Sequence, residues 1–150
     1  MEQRMKAPAA VLPGAWEGIQ GLNKAVAKGD VPASVLQLTH LRASQINGCA
    51  ACLDGAIKHT REAGLSDAQL FTVAGWRDSP HFSDAERAAL NLTEAMTRLA
   101  DRGDVPDDIW NEAAKHFEER ALAALVLSIA LSNFYNRLNV TTRQIYTGQW

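Results

Sequence analysis

The stretch Ile46–Gly64, INGCAACLDGAIKHTREAG, decides how the rest of the chain is read. Asn47-Gly48 is a break signal, and the alanine-rich run after it, closed by Gly64, has the composition of a helix. Cys49 then stands at or beside the N-cap, with Cys52 one turn further in; these are the two cysteines of the chain. Residues three apart share a helical face, so the sulfurs can close a small disulfide ring or lie side by side as thiols. Unpaired backbone N–H groups at a helix start favour thiolate over thiol. An ordinary cysteine has a pKa of about 8.5, so even a modest depression multiplies its nucleophilic fraction at neutral pH. The residues alone offer a redox dithiol.

Two plainer readings compete with it. A structural zinc site needs four ligands, and a single C-x-x-C supplies two, with His40 and His59 the nearby imidazoles. The cysteines can also be small buried residues at a helix start, since free cysteine packs like a hydrophobe.

Working outward, Ala15–Ala27 repeats Trp16, Ile19, Leu22 and Val26 at helical spacing, and Lys28-Gly29-Asp30 ends it. The residues before Gly14 read as a loose lead-in because Pro8 and Pro13 discourage helix. Pro32 opens a helix running through Gln45, with Val35, Leu36, Leu38, Leu41 and Ile46 apolar and Gln37, His40 and Ser44 on an adjoining stripe. Beyond the cysteine helix, Ser66 caps a short helix to Val73, and 75–83 read as a loop. Ser83 and Glu86 form a capping-box pattern for a helix to about Ala100, with Ala89, Leu90, Leu92, Ala95, Met96 and Leu99 inward. Val105-Pro106-Asp107 starts another helix through His116. Arg120 to about Leu138 forms a last helix, apolar around most of its circumference through Ala121–Leu131, as a central helix or an oligomer interface would be. Residues 140–150 have β-branched character but no partner strand. The expected fold is all-α: one domain over 1–150, with a core at about 31–143 and an N-terminal helix at about 15–28.

The net charge of −2 with interspersed signs argues against nucleic acid or an anionic membrane surface as partner. The run Ala121–Leu131 is too short to span a bilayer and the first residues lack a signal-like apolar stretch, so a cytoplasmic location is expected.

The run LTHLRASQINGCAACLDGAIKH (38–59) resembles the core of the AhpD-like alkylhydroperoxidases, grouped with the carboxymuconolactone decarboxylases. WRDSPHFSDAERAALNLTEAMTRL (76–99) and NFYNRLNV (133–140) are similar to segments that follow in the same order in that family. The resemblance covers roughly 31–143. It implies a helical bundle assembling into homo-oligomers, often trimers or hexamers, and peroxide reduction by a cysteine pair aided by a proton relay. By resemblance, Cys52 is the attacking thiolate and Cys49 the resolving thiol, whereas proximity to the helix start alone favours Cys49 as the more acidic. The family's relay glutamate lies twelve residues before the first cysteine and its histidine four after the second. Those positions hold Gln37 and Ala56, neither of which moves a proton.

His59 lies two turns beyond Cys52, about 10 Å along the axis and too far for a hydrogen bond to sulfur. His40 shares the face of Gln37, and the hypothesis is that it serves as general base or as an imidazolium partner of the thiolate; a histidine bound to backbone is the alternative. An unchanged thiol pKa in His40→Ala would sink the hypothesis. Gln37 and Ser44 are candidate pocket donors, alongside Ala56 and His59 as pocket residues. Trp76 and Arg77 read as packing residues, and Asn136 and Arg137 as partners of helix-end carbonyls or of an intersubunit carboxylate.

The expectation is therefore a thiol-dependent peroxidase or disulfide oxidoreductase without metal or cofactor, recycled by an external dithiol such as a lipoyl group, and slowed by the missing relay. A non-catalytic oligomeric redox sensor and a carboxymuconolactone decarboxylase are the alternatives.

Overall fold

Side-chain caps at Cys49, Ser66 and Ser83 begin three of the helices in the computed structural model, which describes residues 2–148. The order is α1 (Pro8–Val11), α2 (Ala15–Ala27), α3 (Ala33–Ile46), α4 (Ala50–Glu62), α5 (Asp67–Thr72), a 3₁₀ turn at Val73–Gly75, α6 (Asp84–Thr97), α7 (Leu99–Arg102), α8 (Asp107–His116) and α9 (Glu119–Thr142). Among the described residues there is no strand; of the β-branched tail, 143–148 are non-helical and 149–150 lie outside the described residues. Ser66 with Gln69 and Ser83 with Glu86 close full capping boxes, each side chain satisfying the other residue's backbone N–H.

Four details depart from the sequence reading. The lead-in contains the one-turn helix α1, with Pro8 in its first turn where a missing N–H costs nothing. Pro32 is the N-cap of α3 rather than its first residue. The sixth helix stops at Thr97 because Arg98 leaves helical geometry, and α7 is a separate turn. The last helix runs on to Thr142, past the apolar run into a polar segment. By length and composition α9 could cross a membrane, but 44% of its apolar window is buried inside the fold.

α3 is the shared wall of two apolar clusters. Its first half supplies Val35 to a cluster with Ala89 and Leu92 of α6, Ile109 and Ala113 of α8, and Leu122, Leu125 and Ile129 of α9. Further along it, Leu38 and Leu41 join a cluster with Ala56 of α4, Leu65, Val73, Trp76, Phe82 and Leu90. α2 lies at the edge against α9, so only Ile19 and Val26 of its expected face are buried, and Trp16 and Leu22 are each 43% exposed. Leu99 is also exposed, because it falls beyond the break at Arg98. Gly29 allows the α2 end to meet α9: a Cβ there would lie 2.1 Å from the Ala124 Cβ.

The second cluster is bordered by a buried carboxylate that the sequence reading did not single out. Glu94 on α6, 3% exposed, accepts from Trp76 Nε1 at 2.9 Å and Arg42 Nε at 2.7 Å on one oxygen, and from Arg77 at 2.8 Å and Arg98 at 3.4 Å on the other. Arg77 also stacks over the Trp76 ring at 4.3 Å, giving the packing role expected for this pair a specific geometry. Burial by itself would raise the Glu94 pKa, but the donors of Trp76, Arg77 and Arg42 and the Arg42 charge outweigh it and hold the group at about 2.

These contacts set the cost of two substitutions. Glu94→Gln leaves guanidinium groups without a counter-charge and should cost about 3 kcal/mol at neutral pH, read by denaturant unfolding. The folded pKa is depressed from 4.5, so the carboxylate's contribution is full above that value and is lost as pH falls toward 2; the wild-type and variant stabilities should converge over that interval. Gly29→Ala should cost about 1–3 kcal/mol through overpacking, and adding Ala124→Gly should restore part of it.

Candidate functional site

Local geometry places the cysteines as the sequence expects. Gly48 takes φ +65°, a left-handed conformation that reverses the chain after α3, and the Cys49 N–H closes the turn on Ser44 O at 2.9 Å. Cys49 is the N-cap of α4, its Sγ accepting the Cys52 N–H at 3.3 Å. The two residues are joined as a disulfide with Cα atoms 5.3 Å apart. No group of three or more His, Cys, Asp and Glu is placed to hold a metal ion among the described residues.

The sulfurs differ in access. Cys49 is 1% exposed and enclosed, whereas Cys52, at 6%, lines a cavity of about 480 Å³. The walls come from α2 (Trp16, Gln20, Asn23, Val26), α3 (Leu36, Gln37, His40), α4 (Gly55, Ala56, His59) and α9 (Ser128, Leu131, Ser132, Tyr135, Asn139). A second cavity of about 550 Å³ lies against α1 and shares Trp16, Tyr135 and Asn139 with the first. The residues that the helical pattern of α2 assigned to a core face thus partly serve to wall a cavity.

Of the residues singled out from sequence, Gln37, His40, Cys52, Ala56 and His59 meet at this cavity. The positions that the resemblance assigns to the relay, Gln37 and Ala56, therefore face the cavity lined by Cys52, and here they carry an amide and a methyl group. Ser44 does not line it: this buried hydroxyl lies behind Cys52 and accepts from Asn136 Nδ2 at 2.9 Å. His59 stands at the exposed rim, paired with Glu62 at 3.5 Å.

His40 Nδ1 lies 3.0 Å from Ser132 Oγ, and that hydroxyl can donate to Ser128 O at 3.0 Å. The contact fits either tautomer: Nδ1–H donates to the hydroxyl, or Nδ1 accepts from it while the other ring nitrogen donates toward the Cys52 carbonyl. Burial lowers the His40 pKa from 6.5; the Cys52 backbone carbonyl opposes the shift and His59 adds to it. At neutral pH the ring is thus an uncharged base, and the imidazolium form is disfavoured.

The site also holds side chains whose part in it the sequence reading missed. Asn136 and Asn139 donate to Cys52 Sγ at 3.1 and 3.4 Å, so Asn136 is not a partner of helix-end carbonyls. Its Oδ1 accepts from Asn47 Nδ2 at 2.9 Å, and the same amide of Asn47 donates to Asn133 Oδ1. Arg137 donates to the backbone and side-chain oxygens of Asn133. Tyr135 reaches the cavity from the same helix; its hydroxyl accepts from Asn23 Nδ2 at 2.8 Å, and burial raises its pKa. The signal was present as asparagines at 133, 136 and 139, a stripe of spacing three beyond the apolar run of α9.

Comparison with known proteins agrees with this geometry. Residues 13–95 match the carboxymuconolactone decarboxylase family. An Agrobacterium tumefaciens protein of unknown function, proposed as an AhpD antioxidant defence protein, is similar in structure at TM-score 0.89 and 31% identity, over 99% of this chain and 100% of that one. YdfG, an uncharacterised protein of Bacillus subtilis, is 27% identical over 87% of this chain and 88% of its own length. YnjA of Escherichia coli, also uncharacterised, is 38% identical over 70% of this chain and 57% of its own length. The debrominase Bmp8, crystallised as a cysteine-to-alanine variant in complex with 2,3,4-tribromopyrrole, shares the fold at TM-score 0.76 and 19% identity, over 92% of this chain and 74% of that one. With its cysteine pair at the head of α4 and its all-helical frame, the chain belongs to the AhpD-like carboxymuconolactone decarboxylase family.

Proposed function

We propose that the chain is a thiol-dependent oxidoreductase that reduces hydroperoxides through Cys52 and Cys49. The observation carrying this reading is the unequal access of the two sulfurs, with Cys52 open to a substrate-sized cavity and Cys49 enclosed behind it. An attacking sulfur must meet substrate, and a resolving sulfur need meet only its partner.

In the reduced protein His40 acts as the base for the Cys52 thiol, leaving a thiolate. The thiolate attacks the terminal peroxide oxygen, the O–O bond breaks, and Cys52 becomes a sulfenic acid. The proton held by His40 passes to the departing alkoxide, so an alcohol leaves. Cys49 thiol then condenses with the sulfenic acid, forming the disulfide and releasing water. An external dithiol, for which a lipoyl group is the family-based choice, returns two electrons and two protons by exchange. Attack on the accessible Cys52 sulfur starts that step. Each step draws on the chain's own side chains and on the external dithiol.

A homo-oligomer, trimer or hexamer, and a cytoplasmic setting accompany this proposal. Phe71, 88% exposed, and Trp110 and Phe134, each more than 40% exposed, are apolar surface that subunit contacts would cover. The replacement of both relay positions favours a second reading, a redox sensor that switches without rapid turnover. A decarboxylase needs neither cysteine, and activity retained in a Cys49→Ser/Cys52→Ser protein would select it.

Consumption of an organic hydroperoxide in the presence of dihydrolipoamide tests the proposal. Wild type should turn over and Cys52→Ser should not; with the dithiol omitted, Cys49→Ser should consume about one equivalent and stop at the sulfenic acid. Wild-type turnover no faster than that of Cys52→Ser would leave the sensor reading. His40→Ala should slow thiolate-dependent turnover by about 10²-fold or more. The rate should also fall on the acid side as His40 protonates below 6.5, since only the neutral ring accepts the thiol proton, and that limb should vanish in the variant.

A further inference from the structure

We infer that Asn136 and Asn139 form a thiolate-binding pair that lowers the Cys52 pKa and makes the Cys49–Cys52 disulfide more oxidising. Both amides project from one face of α9 and place their Nδ2 atoms 3.1 and 3.4 Å from Cys52 Sγ. The Asn136 amide is held in its orientation. Its oxygen accepts from Asn47 and it is fully buried, so its two N–H groups point to Ser44 Oγ and Cys52 Sγ. Asn139 adds its donor from the cavity side.

Sulfur in a disulfide or thiol is a weak acceptor, but a thiolate is an anion and takes charge-assisted hydrogen bonds. The two donors are already in place in the disulfide form, and they gain strength when Cys52 carries charge. They therefore favour the reduced, anionic form over both the thiol and the disulfide. Burial of Cys52 pulls the other way, against ionisation, which is why preorganised donors matter here. The titratable groups facing this sulfur's cavity are His40 from α3, His59 at the rim of α4 and Tyr135 from α9, while α2 contributes the neutral amides of Gln20 and Asn23. With the His40 ring uncharged, neutral N–H donors take the place of a cationic partner.

This inference rests on Cys52 being a redox-active sulfur, but not on peroxide being its substrate. Reduction by an external dithiol oxidises that dithiol to its disulfide, cleaves the Cys49–Cys52 bond, and leaves Cys49 as a thiol and Cys52 as a thiolate with one proton released.

The pH dependence of iodoacetamide alkylation in a Cys49→Ser protein, where Cys52 is the remaining thiol, measures its pKa directly. The expected value lies below the ordinary cysteine value of about 8.5. Asn139→Ala deletes a contact made to the sulfur, and should raise the pKa by about one unit, a tenfold fall in thiolate at pH 7. Asn136→Asp keeps the shape but turns an oxygen toward the anion, and should raise it further. With both cysteines present and at a pH above both pKa values, Asn139→Ala should shift the disulfide to a more negative potential by about 30 mV, the equivalent of that tenfold change. A folded Asn139→Ala protein whose pKa and potential match wild type would overturn the inference, with folding checked by circular dichroism. Peroxide turnover lost or kept is a separate result: absent turnover with a shifted pKa sinks the peroxidase reading and leaves the thiolate pair standing.

Discussion

One buried amide ties together the pieces on which the site depends. Asn136 reaches from α9 to Ser44 and Asn47 on the end of α3 and to Cys52 on α4, so three helices meet through its single side chain. A polar group this deep costs free energy unless each of its donors and acceptors is used. Its donors and its acceptor all find partners, and that requirement fixes where α4 begins relative to α9. The Cys49 N-cap, the Gly48 reversal and the position of Cys52 in the cavity wall share this junction.

The site that results is largely uncharged. Strong charges are kept apart from it, concentrated where Glu94 gathers Arg42, Arg77 and Arg98 beside the second apolar cluster. Around Cys52 stand amides, hydroxyls, a neutral imidazole and aromatic rings. Such surroundings suit a reaction whose charge appears at sulfur and must be met by fixed dipoles, because those dipoles need no reorganisation when the thiolate forms. They also explain how a chain with Gln37 and Ala56 at the relay positions can retain a working environment for its cysteines. In the proposed reaction, proton acceptance falls to His40, one helical turn along α3, and the anion is met by amides of α9.

Much of the frame was legible because it follows from local chemistry. Capping boxes at Ser66 and Ser83, the break at Asn47-Gly48 and the recurrence of apolar residues three and four apart act within a few residues of sequence. Burial was less legible. Trp16 and Leu22 repeat correctly but lie on an edge helix, where the partner covers only a narrow stripe. Leu99 was misplaced because a small backbone departure at Arg98 cannot be read from propensity. Glu94 and the asparagines were missed for a common reason: a buried polar side chain is tolerated only by partners distant in sequence, such as Arg42 for Glu94 and Cys52 for Asn136.

The sequence by itself determined an all-helical chain and a cysteine pair at a helix start, since each depends on residue type and short-range spacing, and it placed Gln37 and Ala56 where the resemblance implies relay residues. Tertiary structure decided which sulfur meets the cavity, that Gln37, His40 and Ala56 surround it while Ser44 does not, and that asparagines from the far end of the chain donate to Cys52. Those outcomes depend on how α9 crosses α3 and α4. The crossing is set by close packing and by pairing of buried polar groups over more than eighty residues of separation, which no local pattern encodes.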